Sequence, residues 1–337
     1  MEQKIKRYFE SLKPSQLHLS EKIRVTSINK ILKGESTIKY VVIANGKKFV
    51  VRLNVDLQNK VKIRDEFKAL KVVEKLDIGP KAFLKDLSKK FIKYDFLIAE
   101  YIEGDTIERQ RITKKLIVEV AELFAKMHSI KDSLPINREM SSYAGHLTEV
   151  KFQLRYIESK IGKDHTFSKL MRKTVSQLTK KAKLASKNVQ SPCHSDVITA
   201  NIVLHKDGLK LIDFEGFGLM DPVLEIAYSF ESFTHRPFTH EERKLFIETY
   251  LKLVKDKTFL KRLPLATEVI LFGEFLWEVW QYYRITSGDM PKIFSEGKNG
   301  KEYIERAGHL FKKAVRAKVI LAKSDQLSDV SPFNIET

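Results

Sequence analysis

The chain changes its hydrophobic periodicity near residue 104, and this change most restricts the fold it can adopt. Before that point the apolar residues alternate as in half-buried strands. The predicted strands are residues 23–28, 38–44, 47–55, 82–87 and 91–100. After that point the apolar residues recur with the 3.6-residue period of helices. The pattern predicts an α+β protein with a sheet-rich lobe at residues 1–103, a larger helical lobe at 104–322 and a polar tail at 323–337.

Two local signals support the sheet-rich lobe. Asn45-Gly46 separates two of the predicted strands, and both residues tolerate the positive φ of a two-residue hairpin turn. Helical spacing of apolar residues predicts a helix at 63–76 that ends before Gly79-Pro80. The helices predicted elsewhere are residues 5–12, 113–129, 143–161, 167–186, 240–255, 263–287 and 301–322, with a short strand pair at 202–204 and 210–212.

The composition excludes several classes of protein. The single cysteine, Cys193, excludes an intrachain disulfide framework and a multi-cysteine zinc site, and it fits a reducing compartment. No stretch has the roughly 18 apolar residues of a membrane span, and the N-terminal residues do not form a signal peptide. We therefore expect a cytoplasmic protein.

The chain is also strongly basic, with a formal net charge of +18. Such a balance suits nucleic acid, an anionic membrane surface or a phosphate-bearing small molecule. The lysines are spread along the whole chain, which favours a generally solvated basic surface over a dedicated nucleic-acid face.

One segment carries the polar residues that phosphoryl transfer requires. Asp196 is followed five residues later by Asn201, then by the predicted strand pair and by Asp213. Transfer to a hydroxyl needs a carboxylate near the acceptor proton and two oxygen ligands for Mg²⁺. The hairpin return brings Asp213 beside Asn201 at one end of the strand pair. Each residue alone could be a turn or cap residue, but the ordered set favours chemistry.

This segment, with Cys193-His194-Ser195-Asp196 and Ile212-Asp213-Phe214-Glu215, resembles the catalytic core of the aminoglycoside phosphotransferase and choline kinase family. The resemblance implies a bilobal protein-kinase-like α+β fold, with an antiparallel sheet and one helix in the N-lobe and a larger helical C-lobe. It implies a kinase that uses ATP and Mg²⁺. By resemblance Asp196 is the catalytic base, Asn201 and Asp213 are metal ligands, and Glu215 assists a second metal or orients the loop.

The same resemblance places the nucleotide site in the sheet-rich lobe. Arg52 takes the strand position where protein kinases place lysine, and it would clamp the phosphates while paired to Glu66; a surface arginine on an edge strand is the alternative. Residues 97–104 match the hinge, where Glu100 and Ile102 would hold the adenine through backbone groups.

The loop that would cover the phosphates departs from the glycine-rich pattern. It contains one glycine, so the groups expected to contact the phosphates are the hydroxyls and backbone amides of Ser36 and Thr37. Two further departures argue against a protein kinase: Glu215 replaces the glycine of Asp-Phe-Gly, and no Ala-Pro-Glu follows. His128 and His194 are interpreted as packing or hydrogen-bonding residues.

A helix with both tryptophans of the chain is the candidate acceptor site. Trp277 and Gln281 lie on one stripe bordered by Glu274 and Glu278, whereas Trp280 lies on a stripe that favours core packing. Aromatic faces beside carboxylates suit an ammonium group, and the segment resembles the Phe-Trp-x-x-Trp helix of choline and ethanolamine kinases. Choline, ethanolamine or a related amino alcohol is therefore the first expectation for the acceptor.

Other functions stay open on the sequence. Within small-molecule kinases, an aminoglycoside, sugar or nucleoside acceptor is the alternative. Outside that class, the chain could be an RNA or protein kinase, with the net charge of +18 as its functional feature. It could also be a non-catalytic kinase-like binding module, although a module of that kind has no chemical need for Asp196, Asn201 and Asp213 together.

Overall fold

The computed structural model describes residues 1–31, 37–55, 63–131, 142–184, 189–232, 238–290 and 299–321. Contacts between residues divide the chain into two compact units. The first comprises residues 1–138, 191–219 and 232–255, and the second comprises residues 139–190, 220–231 and 256–337. The division into functional lobes at residue 103 stays a prediction, and the predicted tail at 323–337 lies outside the described residues.

The predicted helices are present with shifts of a few residues at their ends. The helices are α1 (Glu2–Ser11), α2 (Ile63–Val73), α3 (Lys114–His128), α4 (Tyr143–Ile161), α5 (Thr166–Leu184), α6 (Pro222–Ser232), α7 (His240–Val254), α8 (Phe259–Thr286) and α9 (Gly300–Arg316). The strands are β1 (Val25–Ile31), β2 (Ile38–Ala44), β3 (Lys47–Asn54), β4 (Ala82–Asp86), β5 (Asp95–Glu100), β6 (Asp105–Thr106), β7 (Ser191–Cys193), β8 (Ile202–His205), β9 (Gly208–Leu211) and β10 (Gly218–Met220).

The first unit is built on a five-stranded antiparallel sheet with the order β1-β2-β3-β5-β4. The turn between β2 and β3 is the predicted one, since Asn45 has φ 49° and Gly46 has φ 75°. Helix α1 covers the sheet with an apolar face, and the ring of Phe9 lies 5.9 Å from that of Phe49 in an edge-to-face arrangement.

A second, three-stranded sheet of the first unit carries the polar segment. Its order is β6-β8-β9, and β8 and β9 are the predicted strand pair. Helix α2 packs on the turn that follows β9. Gly79 is required there, because a Cβ on it would lie 2.7 Å from the Phe214 ring.

The structure differs from the predicted elements in several places: the short strands β6, β7 and β10 were not predicted, and α9 ends at Arg316, six residues earlier than predicted. Strand β5 begins at Asp95, four residues later than predicted, and α8 begins at Phe259, four residues earlier. The earlier start of α8 has a physical cause, since Arg262 in its first turn forms ion pairs with Asp221 and Asp256. Helix α6 was not predicted.

The second unit consists of α4, α5, α8 and α9 with most of α6. Helix α8 is its longest described element, and its residues Phe272, Phe275 and Leu276 are fully buried. Within the part of the chain that the structure describes, no helix has the length and apolarity that crossing a membrane requires.

Candidate active site

The loop after β7 is held in place by a buried histidine. The His194 side chain is not exposed, and its Nε2 lies 2.9 Å from the carbonyl oxygen of Ile212. Its Nδ1 accepts a hydrogen bond from the backbone N–H of Asp196 at 3.3 Å. These two contacts require the tautomer with the proton on Nε2. His194 therefore positions Asp196, in agreement with the structural role expected from the sequence.

Asp196 and Asn201 are joined directly. The Asn201 amide nitrogen donates to the backbone carbonyl of Asp196 at 2.9 Å and to its Oδ2 at 3.0 Å. Asn201 is buried, with 7% of its surface exposed. Because the amide nitrogen is used on Asp196, the amide oxygen of Asn201 points away from that carboxylate and can accept another partner.

The third predicted residue, Asp213, follows β9 beside this loop. The backbone N–H of Ile212 donates to the carbonyl of Asn201 at 3.0 Å. Asp213 is the next residue in the chain, so this bond holds it close to Asn201. Asp213 has φ 72°, a left-handed conformation that is uncommon for a residue other than glycine. The turn approaches the loop after β7 so closely that a Cβ on Gly216 would lie 3.0 Å from the His194 carbonyl oxygen.

Arg52 connects three carboxylates. It lies on β3 between β2 and β5 and is 3% exposed, which excludes the alternative of a surface arginine on an edge strand. Its Nε lies 3.1 Å from Glu66 Oε2, so the expected pairing with the α2 glutamate is present. Its two terminal nitrogens contact Asp213 and Glu215. One planar guanidinium thus holds both acids of the Asp213 turn.

Lys39 also belongs to this cluster, although it was not among the residues predicted from the sequence. Its Nζ lies 2.5 Å from Asp213 Oδ2, while Arg52 holds Oδ1. Lys39 on β2 is directly opposite Arg52 on β3. The signal was available: a two-residue turn at Asn45-Gly46 pairs Ala44 with Lys47, and counting outward from that pair places Lys39 opposite Arg52.

The charges of the cluster shift its pKa values. Burial raises the pKa of Glu66 to about 7, although Arg52 acts in the opposite direction. Burial also acts to raise the pKa of Asp213, but the positive charges of Arg52 and Lys39 outweigh it and hold that pKa below its usual range. The pKa of Arg52 is raised: burial alone would lower it, but the surrounding acids, led by Asp213, outweigh that effect. Asp213 is therefore a charged carboxylate at neutral pH.

The other residues that the sequence predicts to bind a nucleotide are only partly described. Ser36 lies outside the described residues. Thr37 is 4% exposed, and its hydroxyl has no hydrogen-bond partner within the part of the chain that the structure describes. At the end of β5, the backbone N–H of Glu100 donates to the carbonyl oxygen of Lys81, and the backbone N–H of Tyr101 donates to the carbonyl oxygen of Lys48. Because these two amides are already bonded within the protein, the backbone N–H expected to contact an adenine is that of Ile102.

The two tryptophans of α8 contact different helices. The Trp277 ring lies 6.0 Å from that of Tyr303 on α9. The Trp280 ring lies 6.5 Å from Phe152 and 6.3 Å from Tyr156, both on α4. The guanidinium of Arg284 sits over the Trp280 ring at 4.5 Å, so one indole face already carries a cation.

Two acids border these tryptophans, and they differ in their surroundings. Glu278 is buried and forms an ion pair with Arg306 at 2.9 Å, which neutralises its charge toward a ligand. Glu274 is half-buried. The Gln281 side chain is buried and accepts a hydrogen bond from Arg284 at 3.2 Å. Of the predicted acceptor residues, Trp277 and Glu274 lie one turn apart on the same helix.

Comparison with family models gives one match for this chain. Residues 27–262 match the model of the phosphotransferase enzyme family. No curated protein sequence matches the chain significantly.

Solved structures show the same fold at low sequence identity. Choline kinase from Cryptosporidium parvum Iowa II has a TM-score of 0.67 at 16% identity and covers 98% of this chain and 97% of its own. Choline kinase LicA from Streptococcus pneumoniae has a TM-score of 0.63 at 19% identity, with 92% and 99% covered. A spectinomycin phosphotransferase in complex with ADP and spectinomycin has a TM-score of 0.56 at 14% identity, with 89% and 94% covered.

These neighbours share the bilobal protein-kinase-like α+β fold that the sequence predicts. The family match extends over well more than half of the chain, from β1 through the loop after β7 to the first turn of α8. The chain therefore belongs to the phosphotransferase enzyme family and is an enzyme of the kinase type.

Proposed function

We propose that this enzyme transfers the γ-phosphate of ATP to a hydroxyl group of a small amino alcohol, with choline or ethanolamine as the first candidates. The observation that carries the transfer chemistry is the joined set of Asp196, Asn201 and Asp213 beside two cations, Arg52 and Lys39. A binding module would not need this set in one place.

Asp196 accepts the proton in the proposed reaction. As the acceptor oxygen forms its bond to the γ-phosphorus, the bond from that phosphorus to the β–γ bridging oxygen breaks and ADP leaves. The hydroxyl proton passes to the Asp196 carboxylate. Asn201, which donates to Oδ2 of that carboxylate, keeps it oriented.

Arg52 and Lys39 bind the nucleotide phosphates. They are opposite each other on adjacent strands, so they present two positive charges side by side to a polyphosphate. Glu66 forms an ion pair with Arg52 on the side of its Nε, while the two terminal nitrogens contact Asp213 and Glu215.

The residues at this site fit a magnesium ion. Its ligands in proteins are carboxylate and amide oxygens, and here the charged Asp213 carboxylate and the Asn201 amide oxygen are the residues that would hold it. Glu215, which contacts Arg52, would orient the turn or assist a second ion. Bound Mg²⁺ supplies charge neutralisation on the transferred phosphoryl group.

The preference for an amino alcohol rests on Trp277. This half-buried indole lies one helical turn from Glu274, and an aromatic face beside a carboxylate on one helix is the combination that an ammonium group favours. Trp280 is a weaker candidate because Arg284 occupies its ring face. We therefore assign the ammonium group of the acceptor to Trp277 and not to Trp280.

The test measures ADP release from ATP and Mg²⁺ with a panel of acceptors. The panel contains choline, ethanolamine, sugars, nucleosides, aminoglycosides and bulk tRNA. Asp196→Asn and Asp213→Asn are compared with Asp207→Asn, a matched control in the exposed β8–β9 turn. We expect one amino alcohol to stimulate release, and each site variant to lose turnover by about 100-fold or more while the control keeps it.

Three results would contradict parts of this proposal. Turnover that survives in Asp196→Asn or Asp213→Asn rejects the mechanism. Stimulation by an aminoglycoside or sugar alone keeps the mechanism and rejects the amino alcohol. Activity only with tRNA, with strong salt dependence, assigns the basic surface to substrate binding.

A further inference from the structure

A groove in the second unit runs between α4 and α5, which are consecutive in the chain. Its cavity has a volume of about 520 Å³, within the range of small-ligand sites. Its lining along α5 extends from Arg172 to Lys183, which corresponds to about 16 Å at the rise of a helix. The groove contains none of the residues proposed for phosphoryl transfer.

The rim of the groove is strongly positive. Lys151 and Arg155 line it from α4, and Lys180 and Lys183 line it from α5. Among the described residues, none of these four cations has a carboxylate partner. By comparison, Lys181 on the same helix pairs with Glu268 at 2.5 Å. The four groove cations are therefore available to an anion.

A fifth cation, Arg172, is held in a fixed position. Its Nη1 donates to Glu158 Oε1 at 3.1 Å and its Nη2 donates to the Lys163 carbonyl at 2.7 Å. The Glu158 side chain is 6% exposed, and its charge is used on Arg172. The guanidinium has five N–H donors, so donors remain for a ligand, and the ion pair has already fixed its orientation.

The floor of the groove is apolar. Leu154 and Val175 lie there with 4% and 6% of their surface exposed. An inorganic anion would leave this apolar floor exposed to water. A ligand with one phosphate group and one compact apolar part would contact both the rim and the floor.

We propose that this groove is a binding site for a small organic phosphate, separate from the nucleotide site. The phosphate contacts Arg172 and the rim cations, and the organic part lies on Leu154 and Val175. The groove is short, which favours a small molecule over an extended nucleic acid, whose specific interfaces bury roughly 600 Å² or more for a single module.

The test is calorimetric titration of the full chain with phenyl phosphate, which combines a phosphate with an apolar ring. The groove variant carries Lys180→Glu and Lys183→Glu. The matched control carries Lys169→Glu and Lys173→Glu, which reverse the same charge at exposed positions of α5 outside the groove. We expect binding to weaken about tenfold or more in the groove variant and to change less than twofold in the control.

Two comparisons complete the test. Hydrogen exchange with phenyl phosphate should protect α4 and α5 in the wild type, and inorganic phosphate should bind more weakly because it cannot use the floor. If the groove variant does not fold, Lys151→Gln with Arg155→Gln replaces it. Equal weakening in both α5 variants, or no weakening in either, overturns the proposal. Binding of a short oligouridylate without binding of phenyl phosphate also overturns it and assigns the groove to RNA.

Discussion

The buried glutamate of α2 provides the sharpest test of the charge cluster. Glu66 is 3% exposed, and burial raises its pKa from 4.5 to about 7. Between these two pH values the folded protein holds a proton that the unfolded chain has released. The free energy of unfolding therefore falls as the pH rises through this window, since the folded state binds more protons.

The size of this effect follows from the pKa change. One pKa unit is worth about 1.36 kcal/mol, so a rise from 4.5 to about 7 corresponds to about 3 kcal/mol. Glu66→Gln keeps the shape of the side chain and removes its titration. We expect the difference in unfolding free energy, wild type minus Glu66→Gln, to fall by about 3 kcal/mol between pH 4.5 and pH 7.

Urea denaturation at several pH values measures both free energies. Glu103→Gln is the control, since Glu103 is exposed and pairs with Lys48 at the surface. This control shows how the loss of a surface glutamate changes the unfolding free energy, wild type minus variant, over the same pH range. A difference for Glu66→Gln that stays flat, or rises with pH, would refute the reasoning, because it would mean that Arg52 keeps Glu66 ionised in spite of burial.

Three further predictions concern the cations, the turn and the tryptophans. Lys39→Gln should lower kcat/KM for ATP by about 10- to 100-fold, the worth of one charged contact, with Lys39→Arg recovering part of it in a steady-state assay; equal rates for Gln and wild type would remove Lys39 from the phosphate site. Gly216→Ala should cost about 1–3 kcal/mol in thermal unfolding and also lower kcat, since its Cβ would press on the His194 carbonyl; full stability with normal turnover would contradict that contact. Trp277→Ala should raise the KM for an amino alcohol more than Trp280→Ala, and the reverse order in kinetics would exchange their assignments.

The polar segment could be predicted because its parts are close in sequence or joined by a hairpin. Asp196 and Asn201 are five residues apart and bond directly. Asp213 returns beside them because β8 and β9 are joined by a short turn. The pairing of Arg52 with Glu66 followed from resemblance, and the structure contains it.

Other features depend on contacts that no local pattern shows. Helix α6 was missed because Val223, Leu224 and Ile226 are consecutive or nearly so and all fully buried, so the helix has no polar face for periodicity to reveal. The ion pair of Glu278 with Arg306 joins two helices through side chains 28 residues apart in sequence. Such pairs require the packed structure.

Lys39 shows a different limit. It stands between Ile38 and Tyr40, where alternation alone predicts a residue facing solvent. Its side chain is only 17% exposed because Asp213 lies next to it. Strand alternation gives the face of a sheet, but the element that covers that face comes from the rest of the fold.

The turn at Asn45-Gly46 has a consequence for length variation in this chain. Surface turns are ordinarily the places where insertions are tolerated. Here the turn sets the alignment that puts Lys39 opposite Arg52, five pairs away along the hairpin. One added residue that shifted β2 by a single position would carry Lys39 to the other face of the sheet. In a library of single-residue insertions, those at this turn should therefore lose activity, and the same shift would also move the buried Tyr40, Val42 and Ala44 off the core face.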